Sequence, residues 1–139
     1  MKNPKTTIFF HIILSLSLSW HLTCVALDQP KSEEKDVMKS IETLFNGMRA
    51  GDSSMVSQVF HTSSRLQTVH TKEGKTLLRN ETTQNFLEAI GTPHDIIWDE
   101  RILSYEVKID GAMAAVWTEY AFYAGEKFHH CGVNAFQLA

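Results

Sequence analysis

The apolar positions change period once along the chain, and that change divides it into helices and a sheet. Val37, Ile41, Leu44, Phe45 and Met48 recur at spacings of four, three, one and three, the pattern of one buried helix face. Ser32 stands where a cap is expected, and Glu33 and Glu34 suit the positive end of a helix dipole. Gly51 ends this helix and Asp52 caps a shorter second one, whose buried side is Met55, Val56, Val59 and Phe60. Then the period shortens. "RLQTVHT" alternates as a strand, "KEGK" turns the chain and "TLLRN" returns it. Asn80 or Thr82 opens a third helix with Phe86, Leu87 and Ile90 on one side, and Gly91 and Pro93 close it. The remainder has strand periodicity: "RILSYEVKI", a two-residue hairpin signal at Asp110-Gly111, "AMAAVWTEYAFY", a turn at "AGEK", and "FHHCGVNAFQLA". The expected fold class is α+β, helices first and then a curved antiparallel sheet for them to lie on.

The first residues follow another logic. Lys2 and Lys5 supply a basic start, an apolar run extends from about Ile8 to Leu22, and small residues stand at Cys24 and Ala26 before a polar stretch. That order describes a secretory signal peptide cleaved after Ala26. Residues 1–26 are therefore expected to be the signal, 27–33 a polar leader and 34–139 one domain. The protein is expected to be exported, periplasmic or secreted. A lipid on Cys24 is the rival processing route, although His21 and Thr23 stand where an aliphatic and a small residue are usual. A membrane contact is expected only through the signal peptide or that lipid.

Charge and cysteine content narrow the class further. Losing Lys2 and Lys5 leaves 11 basic residues against 16 acidic ones, a net charge near −5. No basic cluster offers a phosphate-binding face, so nucleic-acid partners are not expected. Cleavage removes Cys24 and leaves Cys131 unpaired, expected as a buried strand thiol. Asn80-Glu81-Thr82 fits a glycosylation acceptor, a three-residue pattern with little weight alone.

The chemistry concentrates in "WTEYAFYAGEKFHHCGVNAF". With Gly125-Glu126 as a two-residue turn, Tyr123 faces Phe128, Ala121 faces His130, Glu119 faces Gly132 and Trp117 faces Asn134. One sheet face then carries Trp117, Glu119, Tyr123, His130 and Asn134 among Met113, Ala115, Phe128 and Phe136. Small residues at Ala115, Ala121 and Gly132 leave room between aromatics, the composition of a small-molecule site. Trp117, Tyr123, Asn134 and Phe136 are the expected ligand contacts. Desolvated Glu119, with His130 on the neighbouring strand, is the expected acid–base pair. The plainer alternative pairs Glu119 with Arg101 or Lys108 at a wet sheet edge. His129 and His130 are adjacent on a strand and so point apart, and no metal or other cofactor is expected.

"IETLFNGMRAGD", "VFHTSSRLQTV", "FLEAIGTPHDIIWDERILSYEVKIDGAMAAVWTEYAFY" and "FHHCGVNAFQL" together resemble the nuclear-transport-factor-2-like superfamily, in its lumazine-binding branch, a relative of the polyketide-cyclase-like proteins. The resemblance covers about residues 34–138. It implies a cone-shaped barrel, three N-terminal helices on a strongly curved antiparallel sheet with a cavity between them, and dimerisation through the sheet. Similar proteins continue with a further strand, which this chain is expected to lack. The leading expectation is an exported domain that holds a flat or apolar small molecule in the cone. The alternatives are an isomerase, dehydratase or cyclase using Glu119 and His130, and a dimerising interaction module without a ligand.

Overall fold

A computed structural model describes residues 31–139. Residues 1–30, which hold the expected signal peptide and the first part of the expected leader, lie outside the described residues. The element order is α1 (Lys31–Ala50), α2 (Ser53–Ser57), β1 (Leu66–Lys72), β2 (Lys75–Glu81), α3 (Thr83–Gly91), β3 (Trp98–Asp110), β4 (Met113–Ala124) and β5 (Lys127–Leu138). This is an α+β fold with antiparallel sheets. Among the described residues the strands form a β1–β2 hairpin and a separate β3–β4–β5 sheet, and they do not close a barrel. No helix among them is long and apolar enough to cross a membrane.

α1 starts at Lys31, so Ser32 sits inside its first turn and does not cap it. Glu33 and Glu34 do occupy that first turn. The helix ends where Gly51 adopts φ +67°, a conformation costly for any side chain. The amide of Asp52 then donates to the Gly47 carbonyl and that of Gly51 to Met48, which satisfies two of the terminal carbonyls. Asp52 accepts from the Met55 amide at 3.0 Å and so caps α2. Thr82, not Asn80, caps α3 by accepting from the Asn85 amide at 3.1 Å. That hydrogen bond gives Thr82 a structural role within the sequon-like triplet.

The buried stripe of α1 is Met38, Ile41, Leu44, Phe45 and Met48, and it joins Val56 of α2, Ile90 of α3 and Val116 of β4 in one core. Phe136, Leu138, Trp98, Ile102 and Val107 pack against it. The Phe45 and Phe136 rings meet edge to face, 6.2 Å apart. The face of the β3–β4–β5 sheet that carries Val116 and Phe136 is therefore the inner face.

Two bulges decide which other residues share that face. In β3 the pairing shifts between Ile102 and Ser104, leaving Leu103 as the extra residue, 65 % exposed. In β5, Phe128 pairs with Tyr123 but His130 pairs with Phe122, so His129 is extra. The turn at Gly125-Glu126 is as expected, with Ala124 opposite Lys127. Beyond the bulge every expected partner moves by one: Ala121 faces Cys131, Glu119 faces Val133 and Trp117 faces Ala135. Cys131 is correspondingly exposed, contrary to the buried thiol expected from sequence, because the slip puts it on the outer face.

Asp99, only 8 % exposed, ties the start of β3 to the end of α1. Its carboxylate accepts from Arg49 Nε at 2.6 Å and from Arg101 Nε at 2.7 Å. Burial pushes its pKa up, but the hydrogen bonds and charges of Arg101 and Arg49 outweigh that and hold it below 3.8. A carboxyl group with a depressed folded pKa stabilises the protein above its unfolded value and loses that contribution as pH falls through the folded one. Asp99→Asn should cost on the order of 1–2 kcal/mol at pH 7. Thermal melts should show the gap to wild type closing as the pH falls below 3.8; a gap independent of pH would mean the ion pairs contribute little.

Candidate functional site

The β5 bulge gathers a different set of polar groups from the one the sequence favoured. Cross-strand partners share a face, so the inner face carries Glu100 with Phe122 and His130, Ile102 with Tyr120 and Gly132, and Tyr105 with Thr118 and Asn134. Thr118 is fully buried. The Asn134 amide donates to Glu100 Oε1 at 2.7 Å and reaches Thr118 Oγ1 at 3.5 Å. Asn134 spends its donors on these two contacts. Its carbonyl oxygen and the second Glu100 oxygen make no hydrogen bond among the described residues.

Glu100 is the unusual group. It is largely buried, and among the described residues no cation lies within ion-pair distance of it. Burial raises its pKa above 4.5, and the Asn134 hydrogen bond offsets this only in part. Tyr120 is its neighbour in electrostatic terms: burial first, then the charge of Glu100, then that of Cys131 raise the phenol pKa. The Tyr120 ring lies over Gly132, where an added Cβ would come within 2.7 Å of its hydroxyl oxygen. Only glycine leaves the tyrosine that position.

His130 continues the row toward solvent. Its ring stacks on Phe122 at 5.0 Å and meets Tyr120 edge-on at 5.8 Å. Loss of hydration lowers its pKa, with a smaller contribution from His129. Glu100, Asn134, Thr118, Tyr120 and His130 thus form one polar row, flanked by Phe122, on the face that the helices cover at its other end.

The remaining expected residues lie elsewhere. Glu119 is on the outer face, where it accepts from Ser104 Oγ at 2.9 Å. It does not share a face with His130, and it pairs with neither Arg101 nor Lys108. Trp117 is also outside and 49 % exposed. Tyr123 packs on the outer side, with the Arg101 guanidinium 4.1 Å above its ring and Phe128 against its edge. Phe136 is inside but belongs to the core, against Phe45. Of the expected residues only His130 and Asn134 join the polar row.

Glu100 was missed because the strand was expected to start at Arg101, whereas β3 starts at Trp98. The alternation Trp98, Glu100, Ile102 is the signal that extends it. Two of the concavities among the described residues lie away from the polar row. A cleft of about 600 Å³ between α2 and α3 is lined by Ser53, Ser57, Gln84 and Glu88, and one of about 330 Å³ between α1 and β3 by Glu42, Ile102 and Ser104. Neither is lined by Glu100 or Asn134.

A family model described as "putative lumazine-binding" matches residues 32–129. The chain belongs to that family. No curated protein and no solved structure matches it. The matched residues of this lumazine-binding-type domain include Glu100, Thr118, Tyr120 and Phe122 and end at the bulge residue His129, with His130 and Asn134 beyond.

The buried carboxyl group makes a pH prediction of opposite sign to that for Asp99. Its folded pKa lies above the unfolded value near 4.5, so its contribution favours folding below that pH and is lost as pH rises through the folded pKa. Glu100→Gln keeps an acceptor for Asn134 and removes the charge. The variant should be more stable than wild type at pH 7, on the order of 1 kcal/mol, and the difference should shrink toward pH 4. A Gln variant less stable at pH 7 in a thermal melt would contradict the desolvated-carboxyl account.

Proposed function

We propose that the chain is an exported small-molecule-binding domain whose inner sheet face takes a flat heteroaromatic ligand. The observation that carries this reading is the Glu100–Asn134 pair, a largely buried carboxyl and amide held 2.7 Å apart with acceptor capacity to spare. Ring systems of the lumazine type present alternating N–H and C=O groups along one edge. The Glu100 and Asn134 oxygens can accept from such N–H groups, and the Tyr120 hydroxyl can donate to a carbonyl. Phe122 and Tyr120 supply aromatic surface beside them. The family match supports a ligand of this kind. The cone implied by the superfamily resemblance is the shape in which the sheet would cup it. The basic start and apolar run of residues 1–26 support export.

A second reading rests on the same carboxyl group. A raised pKa suits general acid–base work, and an isomerase, dehydratase or cyclase would use Glu100 with Tyr120 or His130 beside it. Glu119 would take no part in either reading. The outer face, with Trp117 49 % and Val133 50 % exposed, supports the homodimer expected through the sheet.

Titration with lumazine, followed by the ligand's own fluorescence, tests the binding reading. Glu100→Ala and Asn134→Ala should each weaken binding roughly 10- to 100-fold, while the outer-face variant Trp117→Ala leaves affinity unchanged. Equal affinity across all the variants, with circular dichroism intact, would remove the polar row from the site. Product formation abolished by Glu100→Gln would favour the enzyme reading instead.

A further inference from the structure

The hydrogen-bonding capacity left over on the polar row has a definite pattern. The Asn134 amide nitrogen is committed to Glu100 Oε1 at 2.7 Å and to Thr118 Oγ1 at 3.5 Å, which uses both of its N–H groups. His130 Nδ1 is committed as well, 2.8 Å from His129 Nδ1, because the bulge lets two rings meet that strict alternation would point apart. The Glu100–Asn134 pair therefore keeps two unspent acceptors, Glu100 Oε2 and the Asn134 carbonyl oxygen, and no donor. Rotating the Asn134 amide to offer an N–H would break its bond to Glu100. The Tyr120 hydroxyl, near enough to feel the Glu100 charge, makes no hydrogen bond among the described residues and can donate.

We propose that this row selects a 2-amino-4-oxo ring of the pterin type over the corresponding 2,4-dioxo ring, an inference that rests on the reading of the row as the binding site. Along its pyrimidine edge a 2-amino-4-oxo ring offers an exocyclic N–H, a ring N–H and then a carbonyl. That order is donor, donor, acceptor. The row supplies the complementary groups, two acceptors on hydrogen-bonded neighbours and a hydroxyl donor. A 2,4-dioxo ring alternates donors with acceptors, so one of its carbonyls would be set against one of the two oxygens with no proton between them. An acceptor left facing an acceptor away from water costs more than a contact that is merely absent. Charge favours the same choice. No cation among the described residues lies within ion-pair distance of Glu100, and two adjacent N–H groups bring the partial positive charge that its carboxylate lacks.

The probes are pterin and lumazine, which differ only in the 2-amino and 2-oxo groups, each titrated into the full chain and followed by its own fluorescence. Pterin should bind roughly 10- to 100-fold more tightly than lumazine. Glu100→Gln should lose most of that preference, bringing the two affinities within about threefold, because a glutamine amide can turn either its oxygen or its nitrogen to the ligand. Lumazine binding as tightly as pterin, with both weakened by Asn134→Ala, would overturn the selectivity and leave the row as the site. An unchanged preference in Glu100→Gln would place its cause elsewhere and overturn the proposal too. Failure of both ligands to bind, or affinities untouched by Asn134→Ala and Glu100→Gln, would overturn the row as a site and the selectivity with it. Should a variant fail to fold, the ratio of the two wild-type affinities still decides.

Discussion

One extra residue in β5 governs what the sheet presents to each side. A strand that slips by one position exchanges its two faces. Without His129 as the extra residue, Asn134 would stand opposite Trp117 on the outer face, far from any buried carboxyl. With it, Phe136 reaches Phe45 of α1, Gly132 receives the Tyr120 ring, and Asn134 meets Glu100. Core packing and the polar row are therefore fixed by the same backbone irregularity. Phe122 is the residue against which both histidines rest at that point.

Consecutive acidic residues of β3 show how the two faces treat a charge. Asp99 and Glu100 point to opposite sides and meet opposite electrostatics. Asp99 is neutralised by two guanidinium groups and held ionised, which fastens α1 to the sheet. Glu100 receives only an amide and is pushed toward its neutral form. Environments that drive neighbouring carboxyl groups apart are a way of separating structural from chemical duty. The role proposed above for Glu100 rests on its being the carboxyl group that no cation neutralises among the described residues.

Much of the fold was legible because helix periodicity and turn chemistry are local. The α1 stripe, the Asp52 and Thr82 caps and the Gly125-Glu126 turn follow from residues a few positions apart. Site residues depend on longer-range pairing, which a single bulge can shift unseen. His129-His130 contains no glycine and no proline to mark a bulge, and both alternation phases of β4 carry aromatics. An unbroken alternation therefore selects Glu119 and Trp117, and it leaves Glu100 outside the expected strand. The α+β class followed from the periodicity. The strands among the described residues do not close the cone-shaped barrel that the nuclear-transport-factor-2-like resemblance implied. Neither reading carries the register that selects among these residues.

The account stands or falls on that register. Backbone nuclear Overhauser contacts across β4 and β5, measured on the isotopically labelled chain, test it most directly. The account predicts contacts that place Thr118 opposite Asn134 and Phe122 opposite His130, with His129 unpaired. Contacts placing Trp117 opposite Asn134 and Ala121 opposite His130 would restore the uninterrupted hairpin. They would return Glu119 to the face of His130 and Asn134, and contradict the site described here.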